Sequence, residues 1–220
     1  MSYDIDFFYT LKGIDTLMEG LLVTLQLSLT SIVIGVSLGF VVALMVMSPS
    51  KLLSWPATSF IEIFRCTPAL IQIVWIFYCV PMLFNVFLDP IVMGVLALSL
   101  NLIAFNAEAY RAAIQAIPKA QLDASVALGL NKIQTNVYVV LPQAIRLALP
   151  VLVTNGISIF QQSALVAIVA IEDLMYMGKM LSTETYRPIE TFTVVALIYF
   201  AIALPAMYIS SQLEKRLKVA

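Results

Sequence analysis

The chain has 220 residues, 61% of them hydrophobic and 11% charged, with a net charge of −1. A soluble domain carries about 25% charged residues and could not cover this much apolar surface, so lipid is the expected solvent. Histidine is absent, which removes zinc and acid–base designs built on imidazole; neither a catalytic residue nor a metal site is expected.

Residues 5–19 mix aromatic, apolar and acidic side chains, the pattern of a short helix at the membrane interface. Asp4, Asp6, Asp15 and Glu19 precede the first long apolar run, the wrong sign for a secretory leader, so the amino terminus is expected to be mature sequence. Five apolar stretches follow, at about 20–47, 57–80, 91–112, 144–171 and 191–211, each near the length that crosses a bilayer. In the first, Ser31, Gly35, Gly39 and Ala43 recur every four residues and predict a flat face for close helix packing. The second carries Glu62 and Arg65 one turn apart, expected to pair with each other, and Thr67-Pro68 just inside it. Cys66 and Cys79 form no CxxC pair and are read as small hydrophobes. The third ends with Glu108 and Arg111 at the same one-turn spacing, again an expected pair. Residues 172–190 form a polar connection before the last span.

The longest polar interruption is residues 113–143. Pro118 suits the first turn of a helix, and Leu122, Val126 and Leu130 give that helix one apolar stripe. Gly129 is a natural residue to end it, and Asn131 a natural N-cap for a second short helix that Pro142 disturbs or ends. The expected product is a helix–Gly–helix hairpin outside the lipid. With residues 109–146, the 48–56 turn, the tail and the ends of the helices entering them on one side, that side holds nine Lys/Arg against three on the other. The positive-inside bias makes the first side cytoplasmic, with the amino terminus outside and the carboxyl terminus inside. The fold expected is therefore a single all-α integral membrane domain of five transmembrane helices over residues 1–220.

Asp123-Ala124-Ser125, three residues, Gly129, nine residues and Val139-Val140-Leu141-Pro142 reproduce the spacing of the Glu-Ala-Ala…Gly…Ile-x-Leu-Pro pattern in membrane subunits of bacterial ABC importers. Phe60-Ile61-Glu62-Ile63-Phe64-Arg65-Cys66-Thr67-Pro68, Ala107-Glu108-Ala109-Tyr110-Arg111, Leu141-Pro142-Gln143 and Tyr186-Arg187-Pro188 narrow the resemblance to polar amino acid permeases, the histidine/glutamate/glutamine group. Cys66 and Gln161-Gln162-Ser163-Ala164-Leu165 depart from that group's usual residues. The resemblance implies a permease of the bacterial cytoplasmic (inner) membrane that pairs with a second permease subunit, as homodimer or heterodimer. It further implies two ABC ATPase subunits that bind ATP and magnesium, an extracytoplasmic binding protein, an amino acid substrate and no nucleic acid. The chain itself lacks a Walker A sequence, since Gly178-Lys179 has Asp173 where the first glycine belongs. Lys119, Gln121, Leu122, Asp123, Ala124, Ser125, Leu128 and Gly129 are the residues expected to couple to the ATPase.

Polar groups deep in a span tend to face a bundle interior or a water-filled path. Asn155, Ser158 and Gln162 fall at i, i+3 and i+7 on one face of the fourth span, with Gln161 beside them and Thr67 in the second. These five are the expected substrate pathway, although hydrogen bonding between paired subunits would use the same residues. The neutral Gln162 tilts the substrate toward glutamate, aspartate or glutamine. The alternatives are a single-chain secondary transporter, which would show duplicated halves, and a membrane anchor for an ATPase without transport, whose coupling loop would look the same and which only the mid-membrane polar set tells apart.

Overall fold

A computed structural model describes residues 5–218, without the side chains of residues 216–218; Asp4, named above against a leader, and the side chains of Arg216 and Lys218, counted in the charge balance, lie outside the described residues. A short helix, α1 (Phe8–Lys12), leads directly into α2 (Ile14–Val46). The first long helix thus starts six residues before the expected Gly20, and only its first neighbour α1 remains of the interfacial segment. Asp15 sits in the first turn of α2, where the helix dipole favours negative charge. Thr10 of α1 is buried with its hydroxyl 3.2 Å from that of Thr191, while Phe8, Tyr9 and Leu11 stay exposed.

At 33 residues α2 is about 50 Å long, longer than the hydrocarbon core of a bilayer. Its buried face is the row of small residues read from the sequence, Ser31, Gly35, Gly39 and Ala43, extended by Gly20, Thr24, Leu27 and Ser28. Along this face lies α6 (Pro90–Gln115). The approach is close: a Cβ on Gly39 would stand 2.8 Å from the Cβ of Asn106 and 3.3 Å from backbone atoms of Ile103 and Ala107. Leu27, Leu98 and Leu102 from this pair, with Ile73, Ile159 and Val166, form one core; Ala43, Ile61, Ala107, Tyr110, Ala148 and Leu152 form a second layer.

The expected second span is not one rod. Its first arm, α3 (Lys51–Cys66), and its second, which starts with α4 (Ala69–Val74) and ends with α5 (Val80–Phe84), meet at Thr67-Pro68 with a bend of 111°. Pro68 disfavours helical geometry at Thr67, which adopts φ −107° and ψ 142°. Within the second arm, Trp75–Cys79 form a wide π turn, with the Val80 amide bonded to the Trp75 carbonyl five residues back, just before Pro81. The same device recurs before Pro142. After α7 (Lys119–Ala127) and the short α8 (Lys132–Gln134), Thr135–Val140 form a π turn in which the Leu141 amide reaches Asn136. The wider turn admits the proline ring, so Pro142 disturbs the helix, one of the two expected outcomes, without ending it. The chain runs on as α9 (Leu141–Gln162) and a 3₁₀ stretch over Ser163–Val169.

The polar connection 172–190 is mostly helix: α10 (Leu174–Thr185) packs against α2 and against the last helix, α11 (Pro188–Lys218). Asp173 caps α10, accepting from the Tyr176 amide at 2.9 Å and from the Tyr199 hydroxyl at 3.4 Å, and is wholly buried. Burial pushes its carboxyl up to about 6 from 3.8. The folded chain then binds this proton more tightly than the unfolded one. The resulting stabilisation is complete below the unfolded value and is lost as pH rises through about 6. The unfolding midpoint of the detergent-solubilised chain should fall by roughly 5 °C between roughly pH 5 and pH 7.5. Asp173→Asn, which keeps a capping oxygen, should flatten that slope; an unchanged slope would remove Asp173 as its source.

Among the described residues four helices are long and apolar enough to cross a membrane: Ile14–Val46, Pro90–Gln115, the continuous run Lys132–Val169, and Pro188–Lys215. The bent pair Lys51–Cys66 and Ala69–Phe84 supplies a fifth if its two arms count as one span.

Candidate functional site

The polar residues of α9 meet α6 across a small cavity of about 90 Å³, lined by Asn101, Leu102 and Phe105 from α6 and by Asn155, Ser158, Ile159 and Gln162 from α9. The pocket is small and partly open, with room for a few waters. Three of the five expected pathway residues thus converge, as their helical spacing requires. Gln161 is exposed and does not line the cavity. Asn155 donates to the Oδ1 of Asn106 at 3.0 Å, and Asn106, fully buried, has an amide nitrogen with no partner among the described residues.

Thr67 is exposed at the break and does not line the cavity, but a chain of amides joins it to the wall. Its hydroxyl donates to the Ile63 carbonyl at 2.7 Å. The Nε2 of Gln72 lies 2.8 Å from the Phe64 carbonyl, 3.0 Å from the Thr67 carbonyl and 2.6 Å from Thr67 Oγ1, two protons shared among three acceptors. The Oε1 of Gln72 in turn accepts from Nδ2 of Asn101 at 2.9 Å. Carbonyls orphaned at the end of α3 are satisfied in this way, and α3, α4 and α6 are locked together at the cavity. Asn101 and Asn106 were missed in the sequence; their only signal there is a polar amide inside an apolar run.

Charges gather one turn along α6. Arg111 holds Glu108 through Nε at 2.9 Å and Nη2 at 2.5 Å, the expected pair, and donates to Gln115 at 2.9 Å. Arg65 does not pair with Glu62, which is exposed. Its Nη1 lies 3.8 Å from Glu108, and its guanidinium stands 5.8 Å from the centre of the Phe105 ring. The bend between α3 and α4 lays the last turn of α3 beside α6, so a non-local carboxylate replaces the local one.

The 113–143 loop is the hairpin read from the sequence. Helix α7 ends in a Schellman motif: Gly129, at φ 76°, donates to Val126 at 2.9 Å, and Leu130 donates to Ser125 at 3.1 Å. Asn131 and Gln134 form a capping box. Ser125 is turned inward, giving its proton to the Leu122 carbonyl at 2.7 Å and accepting from the Thr135 hydroxyl at 3.0 Å. Gln143 Nε2 reaches Gln121 Oε1 at 2.5 Å, a second tie between α7 and the start of α9. Lys119, Asp123, Ala124 and Gly129 are exposed, Leu122 half-buried. The expected stripe does not bury itself within the fold: Val126 is 68% exposed, and with Leu128 at 81% and Ile133 at 75% it makes an apolar tip.

Residues 35–219 match the family of binding-protein-dependent transport system inner membrane components. The chain is 33% identical to the arginine transport system permease protein ArtQ of Bacillus subtilis, with 98% of each chain covered. It is 30% identical to the glutamate/aspartate import permease protein GltK of Escherichia coli, covering 97% of this chain and 99% of that one. A solved amino acid ABC transporter, crystallised with histidines, has a chain 34% identical to it, with a TM-score of 0.91 over 97% of this chain and all of the other. The MetNI methionine transporter in an inward-facing form shares the fold at a TM-score of 0.75 and 20% identity.

Proposed function

Because the chain belongs to the binding-protein-dependent transport system inner membrane component family, we propose that it is the permease subunit of an ATP-driven importer for a polar amino acid. It is a multi-pass inner membrane protein related throughout its length to amino acid ABC permeases. In our reading the bent pair counts as one of five spans, the amino terminus faces outward and the Lys/Arg-rich loops face the cytoplasm. A second permease subunit completes the pathway, an extracytoplasmic binding protein delivers the substrate, and two ABC ATPases bind ATP and magnesium.

The observation that carries this reading is the continuity between the hairpin and the pocket. Helix α7 is tied to the following helix by Ser125–Thr135 and Gln121–Gln143, and that helix runs unbroken from Lys132 to Val169. Asn155 lies 20 residues beyond Thr135, about 30 Å along the same helix. A shift of α7 driven by an ATPase therefore displaces one wall of the pocket against α6, which widens or narrows it. Arginine, glutamate and aspartate, named for the relatives, and glutamine, expected from Gln162, are the substrates to try, and the neutral lining favours glutamine and its acidic counterparts.

The test is uptake into proteoliposomes containing the chain with its ATPase, any second permease and the binding protein. ATP-dependent accumulation of one of these amino acids is expected in the unaltered complex. Asn155→Leu with Gln162→Leu should reduce it by at least about tenfold with assembly intact. Undiminished uptake would remove the pocket from the pathway, and ATPase binding without any uptake would leave an anchor.

A further inference from the structure

Arg65 carries more positive charge than its surroundings match. It stands at the end of α3, two residues before the break at Thr67-Pro68. Glu108 is its carboxylate neighbour, but at 3.8 Å the contact is too long for a hydrogen bond, and Arg111 already grips both oxygens of Glu108. Two guanidinium groups thus share one carboxylate. The Arg65 side chain remains 42% exposed and overlies Phe105, which also lines the pocket. An ionised group at the end of an apolar helix, beside a break in the chain, is tolerated where it faces a polar or water-filled path. The pocket's own polar groups, Asn101, Asn155, Ser158 and Gln162, are neutral. They donate and accept hydrogen bonds but cannot balance an α-carboxylate, whereas a guanidinium does so with two parallel bonds.

We propose that Arg65 is the residue that takes the α-carboxylate of the amino acid in the pocket. This rests on the transport reading and adds to it a subsite that recognises the part common to every α-amino acid. Side-chain selection is left to Asn155, Ser158 and Gln162.

The test is equilibrium binding to the chain purified with its partner subunits in lipid nanodiscs. The probes are radiolabelled L-glutamine, L-glutamate and L-arginine, and then the α-carboxamide of whichever binds most tightly. The unaltered complex should prefer the free acid to its α-carboxamide. Arg65→Gln should weaken the free acid by about 10- to 100-fold and leave the carboxamide unchanged, so the preference disappears. Arg65→Lys, which keeps the charge but not the paired donors, should fall between the two. Glu108→Gln separates a binding role from a structural one: it frees Arg65 and should preserve or tighten binding of the acid. Equal losses in Arg65→Gln and Glu108→Gln, or equal losses of acid and carboxamide in Arg65→Gln, would make Arg65 a structural partner of Glu108 and overturn the inference alone. No binding of any probe to the unaltered complex would overturn the pocket as substrate site, and this subsite with it.

Discussion

Leu128→Asp should abolish ATP-driven uptake, by about 30-fold or more, while the chain still inserts and folds. Leu128 is the most exposed apolar side chain of the hairpin and touches little of its own fold, so its replacement leaves no cavity. Its backbone, at φ −78° and ψ 1°, has a negative φ open to Asp as well as Leu, and the Schellman bonds that end α7 are made by main-chain groups of Ser125, Val126, Gly129 and Leu130. The local cost is a carboxylate near a helix C-terminus, about 0.3–1 kcal/mol. The cost at an interface is larger, because a partner that covers Val126, Leu128 and Ile133 would have to desolvate an unpaired charge, on the order of several kcal/mol. Recovery of the ATPase on purification of the tagged chain should fall in parallel with uptake, and Leu128→Met should restore both. Wild-type uptake by Leu128→Asp would place the docking surface elsewhere on the loop.

The hairpin was legible because its determinants are local. Gly129 at positive φ, Asn131 with Gln134 three residues on, and Pro118 ahead of α7 each act within one turn of themselves. The small-residue face of α2 was legible for a related reason: a row of Ser and Gly has one use along a helix, whatever the partner. What escaped was every feature decided across the bundle. Thr67-Pro68 announced a disturbance, but the carbonyls that a bend of 111° exposes are met by Gln72, itself held by Asn101 from another helix. Arg65 and Glu62 had the right spacing to pair, and the bend brought Glu108 closer instead. Asn101 and Asn106 looked like isolated polar residues until α9 supplied Asn155 opposite them. Pro142 announced a disturbance or an end, and the sequence could not choose between them because a π turn leaves no signature stronger than the proline that follows it.

Gln72→Leu should be the most damaging single change near the pocket. One side chain, itself buried, serves the Phe64 carbonyl, the Thr67 carbonyl and the Thr67 hydroxyl through Nε2 and holds Asn101 through Oε1. Leucine keeps the volume and removes every one of these bonds. The Asn101 amide would retain only its 3.4 Å contact to Phe64, and the Thr67 carbonyl would lose this donor in a membrane interior that offers it no lipid partner. The expected loss is about 2–5 kcal/mol, read as a lower unfolding midpoint in detergent together with loss of uptake. Asn101→Leu should cost less, because Gln72 keeps its three acceptors and only Oε1 is orphaned. If the amides act as one network, the double variant should be less destabilised than the two single changes added together, since Asn101 no longer loses a partner it does not have. Strict additivity would mean that α3 is fixed to α6 by apolar packing alone. The bend would then be a property of Thr67-Pro68 itself, not of the amides that close over it.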